Sequence, residues 1–252
     1  MFYPGSRHAL QAALAELTAN APAFTGSSVK AIIAPHAGYV YSGPVAASAF
    51  SALRASAHQI TRAVVIGPAH YVPFRGIAVP TADAFETPLG RIPVAQDALA
   101  RIGDLPFVSA NDAAHAPEHA LEVELPFLQM LLRQFEIIPL LVGDATPSEV
   151  AEALRRVWGG TDTLIVVSSD LSHYYDYDTA CRLDAATAAS IERSAWEELT
   201  SNNACGFLPI AGLLIEGLRR GLKVSRLALC NSADTAGDRR RVVGYGAWAF
   251  AS

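Results

Sequence analysis

Three times in this chain an apolar run of strand length stops at a short turn that carries a histidine, and this repetition limits the folds open to it. Ala31-Ile-Ile-Ala34 ends at Pro35-His36, Arg62-Ala-Val-Val-Ile-Gly67 leads to Pro68-Ala-His70, and Thr163-Leu-Ile-Val-Val167 leads to Ser168-Ser-Asp-Leu-Ser-His173. Each run reads as a β-strand punctuated by Pro, Gly or Ser. If the three strands are parallel neighbours, His36, His70 and His173 share the carboxyl edge of one sheet, where open α/β folds bind their ligands.

The rest of the chain fits such a sheet. Ser6 is placed to cap a helix whose apolar positions, Ala9, Leu10, Ala13, Leu14 and Leu17, recur at helical spacing up to Asn20. Pro44 suits the first turn of a second helix running through Leu53, and a further strand is expected over Gly76 to Pro80. A helix should begin near Pro117, with Pro126 kinking or restarting it. Phe135 to Val142 reads as a strand, Ala151 to Trp158 as a helix, Asp178 to Arg193 as another helix capped by Asp176 or Asp178, and Pro209 opens one more that reaches Arg220. Val224 to Leu229 and Val242 to Phe250 follow each other with only the polar loop 230–238 between, which suggests an antiparallel pair on the sheet. The expectation is one α/β domain over residues 1–252, a central mixed sheet flanked by helices.

Composition narrows the partners. About half of the 252 residues are apolar, enough for a large single core, and the formal charge of −5 leaves no basic footprint for nucleic acid or an anionic membrane. Three cysteines, Cys181, Cys205 and Cys230, are an odd number set far apart, so reduced thiols and a cytoplasmic location are expected. No apolar run approaches the ~18 residues of a membrane span, and the first residues carry no targeting pattern.

Neutral imidazole is the commonest transition-metal ligand, and two imidazoles from different strands can meet at one point; His36 and His70 are the natural pair. Each alone reads more readily as a strand-end cap, and it is the shared context that sets them apart. Cys230 ends a strand just before the polar loop, so its thiolate can complete a site with two imidazoles, although spacing alone makes it a small buried hydrophobe. Asp170 and His173, three residues apart, put a carboxylate beside a candidate general base; turn chemistry explains the same residues. His115-Ala-Pro-Glu-His119 matches the His-x-x-Glu-His pattern of one zinc peptidase class, but Pro117 suits a helix start and leaves His115 outside it. His119 then faces the same cleft as the other imidazoles, and Glu118 complements a helix dipole. Cys205 precedes a helix start, which would depress a thiol pKa, but no base adjoins it in the sequence and packing is the expected role.

Several blocks, taken in order, resemble the Memo family: Phe2-Tyr-Pro-Gly5, Pro35-His-Ala-Gly-Tyr-Val-Tyr-Ser-Gly-Pro44, Gly67-Pro-Ala-His70, Glu118-His-Ala-Leu-Glu-Val-Glu-Leu-Pro-Phe127, Ser168-Ser-Asp-Leu-Ser-His173 and Asn231-Ser-Ala-Asp-Thr-Ala-Gly-Asp238. The likeness runs nearly end to end. That family is similar to the class III extradiol dioxygenases, non-haem iron enzymes that open catechol-type rings. The resemblance implies their fold, a metal site from His36, His70 and Cys230, and an acid/base role for His173 with Asp170 and His119 beside it. A thiolate where those dioxygenases use a carboxylate shifts the expected metal from iron(II) towards copper or zinc, with iron retained. Bacterial members are described beside radical-SAM proteins, which implies such a partner.

Two functions from different classes follow. One is a metal-dependent oxidoreductase, dioxygenase-like, with iron or copper on His36, His70 and Cys230 and with His173, oriented by Asp170, moving protons. The other is a non-catalytic protein that holds a small molecule, a peptide or a metal in the same cleft, with His119, Tyr39, Tyr41 and Tyr174 lining it.

Overall fold

In a computed structural model, which describes residues 2–26 and 28–252, the chain opens with α1 (Arg7–Ala19), β1 (Val29–Ala34), α2 (Tyr39–Ser51) and β2 (Arg62–Pro68). Shorter elements follow: β3 (Ile77–Val79), the hairpin of β4 (Ala84–Thr87) and β5 (Gly90–Pro93), α3 (Gln96–Ala100), β6 (Val108–Ala110) and α4 (Asp112–His115). Next come α5 (Leu125–Leu131), β7 (Glu136–Val142), α6 (Pro147–Val157), β8 (Thr163–Ser168) and β9 (His173–Tyr175). The chain closes with α7 (Tyr177–Glu192), α8 (Phe207–Arg219), β10 (Lys223–Asn231) and β11 (Val242–Ala251).

The main sheet runs in the order β10-β11-β1-β8-β2-β7-β3-β6, and β9 adds to β11 outside that path. β1, β8, β2 and β7 are mutually parallel, so the three histidine-bearing strands are adjacent and point the same way. Their residues are apolar without alternation because helices cover both faces of a parallel sheet; β8 is buried along its whole length. β11 runs antiparallel to both β1 and β10, which makes the sheet mixed, and the two last strands pair as the short connection between them requires. Among the described residues no helix is long and apolar enough to cross a membrane.

Local chemistry sets the boundaries. Ser6 accepts the Ala9 N–H and starts α1, and Thr146 with Glu149 forms a capping box on α6. Three boundaries differ from expectation by several residues, and one of them is local: the capping box starts α6 at Pro147 rather than Ala151. α2 begins at Tyr39, five residues before Pro44, since Gly38 turns the chain and the carbonyl of Phe2 accepts the Tyr39 N–H at 2.8 Å. Pro44 therefore lies inside the helix. The expected helix at Pro117 is a turn instead, and the regular α5 starts at Leu125 with Pro126 in its first turn.

Candidate metal and ligand site

The three strand ends deliver their histidines to one cleft of about 760 Å³, lined also by Phe2, Tyr41, Tyr71, His119, Asp170 and Cys205 among others. The ring centroids of His36 and His70 lie 5.2 Å apart, those of His36 and His119 5.5 Å, and those of His70 and His119 4.9 Å. One ligand atom each from His36, His70 and Cys205 falls within 4.8 Å of the others, the spacing a single ion needs; His70, Glu118 and His119 form a second such group.

Two of the imidazoles are held from behind. His36 Nδ1 is 2.7 Å from Ser168 Oγ, which in turn lies 2.6 Å from the carbonyl of Ala120 and 3.0 Å from a carboxyl oxygen of buried Glu124. A carbonyl only accepts, so the single hydroxyl proton goes to Ala120, His36 Nδ1–H donates to Ser168, and the Nε2 lone pair faces the cleft. Burial, with His70, His119 and His173 nearby, lowers the His36 pKa well below the usual imidazole range, which keeps the ring in its ligating form. Glu124 is pushed the other way, upwards, by burial.

Glu118 does for His70 what Ser168 does for His36. It accepts the His70 ring Nδ1–H at 2.9 Å, the His70 backbone N–H at 2.6 Å, and the backbone N–H groups of His119 and Ala120 at 2.9 and 3.0 Å. Burial alone would raise this carboxyl, but those donors hold it below the ordinary glutamate range. A carboxylate behind a histidine fixes its tautomer and raises its basicity, the usual support of a metal-ligating imidazole. The dipole role expected for Glu118 is therefore replaced by a hydrogen-bonding one.

The thiol at the site is Cys205, not Cys230. Cys205 Sγ sits 3.3 Å from His36 Nε2 and 3.3 Å from the backbone N–H of Asp170. Cys230 lies on β10 opposite Tyr245 of β11, and β11 separates it from β1. Two strand spacings amount to about 10 Å, out of reach of the imidazoles. Its neighbours are Asp234 and Asp184, and burial chiefly pushes its thiol up to about 11. Nor is the Cys205 pKa depressed: burial and then Asp170 push it up to about 12 despite the helix start.

Other expected residues divide. His119 faces the cleft, stacked on Phe2 at 4.3 Å between centroids. His173 faces it too, but Asp170 is not bonded to it, and burial holds the ring below its usual pKa. Asp170 turns to the β1 loop, where its Oδ1 accepts the His36 N–H at 2.9 Å. Tyr39 is a core residue rather than a cleft residue: its hydroxyl donates to the Val123 carbonyl and its ring packs on Phe127. Tyr41 and Tyr174 do line the cleft. His115 points away, 3.1 Å from the Ala78 carbonyl, and α4 ends there, so His115 and His119 share no helical face and the zinc peptidase pattern is not realised.

Cys205 reaches the site because Gly206 lets the start of α8 press on the loop after β8. A Cβ at Gly206 would stand 2.7 Å from Ser169 Cβ and 2.8 Å from the Ser168 carbonyl oxygen. Gly206→Ala is expected to cost about 2 kcal/mol through this overlap and to move the thiol away from His36. Urea unfolding and metal content together check this; a variant that keeps both unchanged refutes it.

These features define an α/β protein with an imidazole and thiol cluster at the carboxyl edge of its sheet. The chain belongs to the Memo family: the family described as Memo-like protein matches residues 1–249. A MEMO1 family protein of Aquifex aeolicus (strain VF5) is 35% identical over 231 residues, covering 86% of this chain and 84% of the relative. One from Nitrosopumilus maritimus (strain SCM1) is 29% identical over 266 residues, 99% of this chain and 96% of the relative. The crystal structure of an uncharacterized protein from Escherichia coli K12 shares the fold, with a TM-score of 0.54 at 12% identity over 88% of this chain and 99% of that one.

Proposed function

We propose that the protein is a metal-dependent oxidoreductase in which His36, His70 and Cys205 hold iron or copper, with zinc as the redox-inert alternative. The observation that carries this is the convergence of three ligand atoms from three separate elements, two of them on imidazoles pinned from behind by Ser168 and Glu118. Two imidazoles and a thiol suit copper, zinc and iron better than magnesium or calcium, so the donor set fits such an ion. When bound, the ion would supply redox or Lewis-acid chemistry at the floor of the cleft.

The chain's own groups do the rest. On binding the ion Cys205 would release its thiol proton to solvent and serve as a thiolate ligand. His173, which lines the cleft and which burial keeps below the usual imidazole pKa, is the group that takes or returns a proton at a bound substrate. All three cysteines are free, in keeping with a reducing, cytoplasmic setting.

The test is metal content. Protein reconstituted with iron(II), copper or zinc is expected to bind close to one ion per chain, and His36→Ala and Cys205→Ser to lose at least tenfold in affinity, whereas Cys230→Ser keeps it. Full occupancy in His36→Ala ends the proposal. Oxygen uptake with catechol-type compounds that needs His173 separates an enzyme from a protein that only holds its ligand.

A further inference from the structure

We propose that Arg241 anchors the carboxylate of a small planar aromatic acid in the imidazole cleft, so that the ligand of the metal site proposed above is anionic; the inference rests on that site being where the ligand binds. Arg241 is the single arginine or lysine among the described residues lining the cleft. The two carboxylates that line the cleft with it are already engaged. Asp238 is bound by Arg240 through two contacts of 2.6 and 2.8 Å, and Asp170 is buried and turned to the backbone N–H of His36. Among the described residues no carboxylate pairs with Arg241, whose guanidinium lies over the ring of Tyr174 at 4.7 Å. An arginine fork left open beside a concave, aromatic-walled site matches a carboxylate in shape and charge.

Tyr174 supplies the second observation. Its φ is +65°, a left-handed backbone that non-glycine residues rarely adopt, and its ring is 62% exposed. Burial of the ring therefore does not offset the strain. What the conformation achieves is positional: it lies between His173 and Tyr175, which pair with Val243 and Val242 of β11, and presents the ring at the cleft with Arg241 upon it. Strain kept at such a place points to ligand contact. Tyr41 and Tyr71, both exposed, offer further ring faces, and a cleft of about 760 Å³ takes a molecule of one or two rings.

The experiment is calorimetric titration of the metal-free protein with benzoate, with benzamide as its neutral analogue and with cyclohexanecarboxylate as its non-planar one. Wild type is expected to prefer benzoate to both by at least tenfold, with affinity falling as salt rises. Arg241→Ala should bring benzoate and benzamide within twofold, and Arg241→Lys should keep part of the preference. Tyr174→Gly should weaken benzoate at least fivefold while its thermal midpoint stays level or rises, a result that a purely structural tyrosine would not give. Equal binding of benzoate and benzamide by wild type, no binding of benzoate, or an unchanged preference in Arg241→Ala overturns the proposal. Metal content of Arg241→Ala, expected to equal wild type, keeps the two readings apart: benzoate binding that needs Arg241 in a protein that takes up no metal would sink the metal site and leave the anion site standing.

Discussion

Glu118→Ala is expected to lower unfolding stability by about 3 kcal/mol, a fall in Tm of roughly 10 °C for a chain of this size, and to weaken metal binding at the same time. The carboxylate is nearly buried and four N–H groups converge on it: the ring and backbone of His70 and the backbones of His119 and Ala120. Alanine leaves all four without an acceptor. The cleft lies close by, so water can enter and recover part of the loss, which keeps the cost below that of four isolated orphan donors. The imidazole of His70 also loses the acceptor that fixes its tautomer, so affinity for the ion should fall by tenfold to a hundredfold. Glu118→Gln keeps one accepting oxygen but turns an NH2 towards the other donors, so an intermediate loss is expected. Urea titration of the metal-free proteins gives the stability part and metal titration the other. A loss under 1 kcal/mol in the alanine variant would mean that these contacts are not the support described.

The strand ends were legible in the sequence because each depends on local order. An apolar run, a breaking residue and a histidine lie next to one another in the chain, and parallel packing of β1, β8 and β2 converts that order into position. The last antiparallel pair was legible for the same reason: its connection is too short for a crossover. The third ligand was not. Cys230 and Cys205 both stand beside a turn, and nothing within ten residues separates them. What decides is that β11 comes between β10 and β1, while the loop at Cys205 is drawn over β8 by its N–H bond to the Asp170 carbonyl. Both are contacts between distant parts of the chain. Tyr39 was misplaced in a similar way, since the carbonyl of Phe2 sets where α2 begins and so turns that ring into the core. Gly206, by contrast, was a usable signal: a glycine directly after a cysteine at a helix start marks a close backbone approach.

Asp170→Asn is expected to stabilise the metal-free protein at pH 8 by up to about 4 kcal/mol and to do so far less at pH 4. Burial raises the Asp170 carboxyl to about 7, with the backbone N–H groups of His36 and Ala37 opposing the rise. Glu118, less deeply desolvated, goes the other way, since four donors, one of them an imidazole, outweigh its burial. The sign follows from proton binding. With its pKa higher in the folded chain than in the unfolded one, Asp170 holds its proton in the folded state while the unfolded chain has lost it, so its contribution to stability falls as pH rises from about 4 to about 7 and is flat above. Asparagine can accept the same backbone N–H and does not ionise, so the gap between the variants should open across that window and nowhere else. A buried carboxylate that costs stability is sensible beside a site for a cation, whose charge would offset the penalty. Metal affinity in Asp170→Asn should accordingly fall while stability rises, an opposition that a packing defect cannot produce. Urea midpoints taken every half unit from pH 4 to pH 8, with metal titration at pH 8, decide it: parallel curves would show that Asp170 ionises as an ordinary aspartate and has no such part in the site.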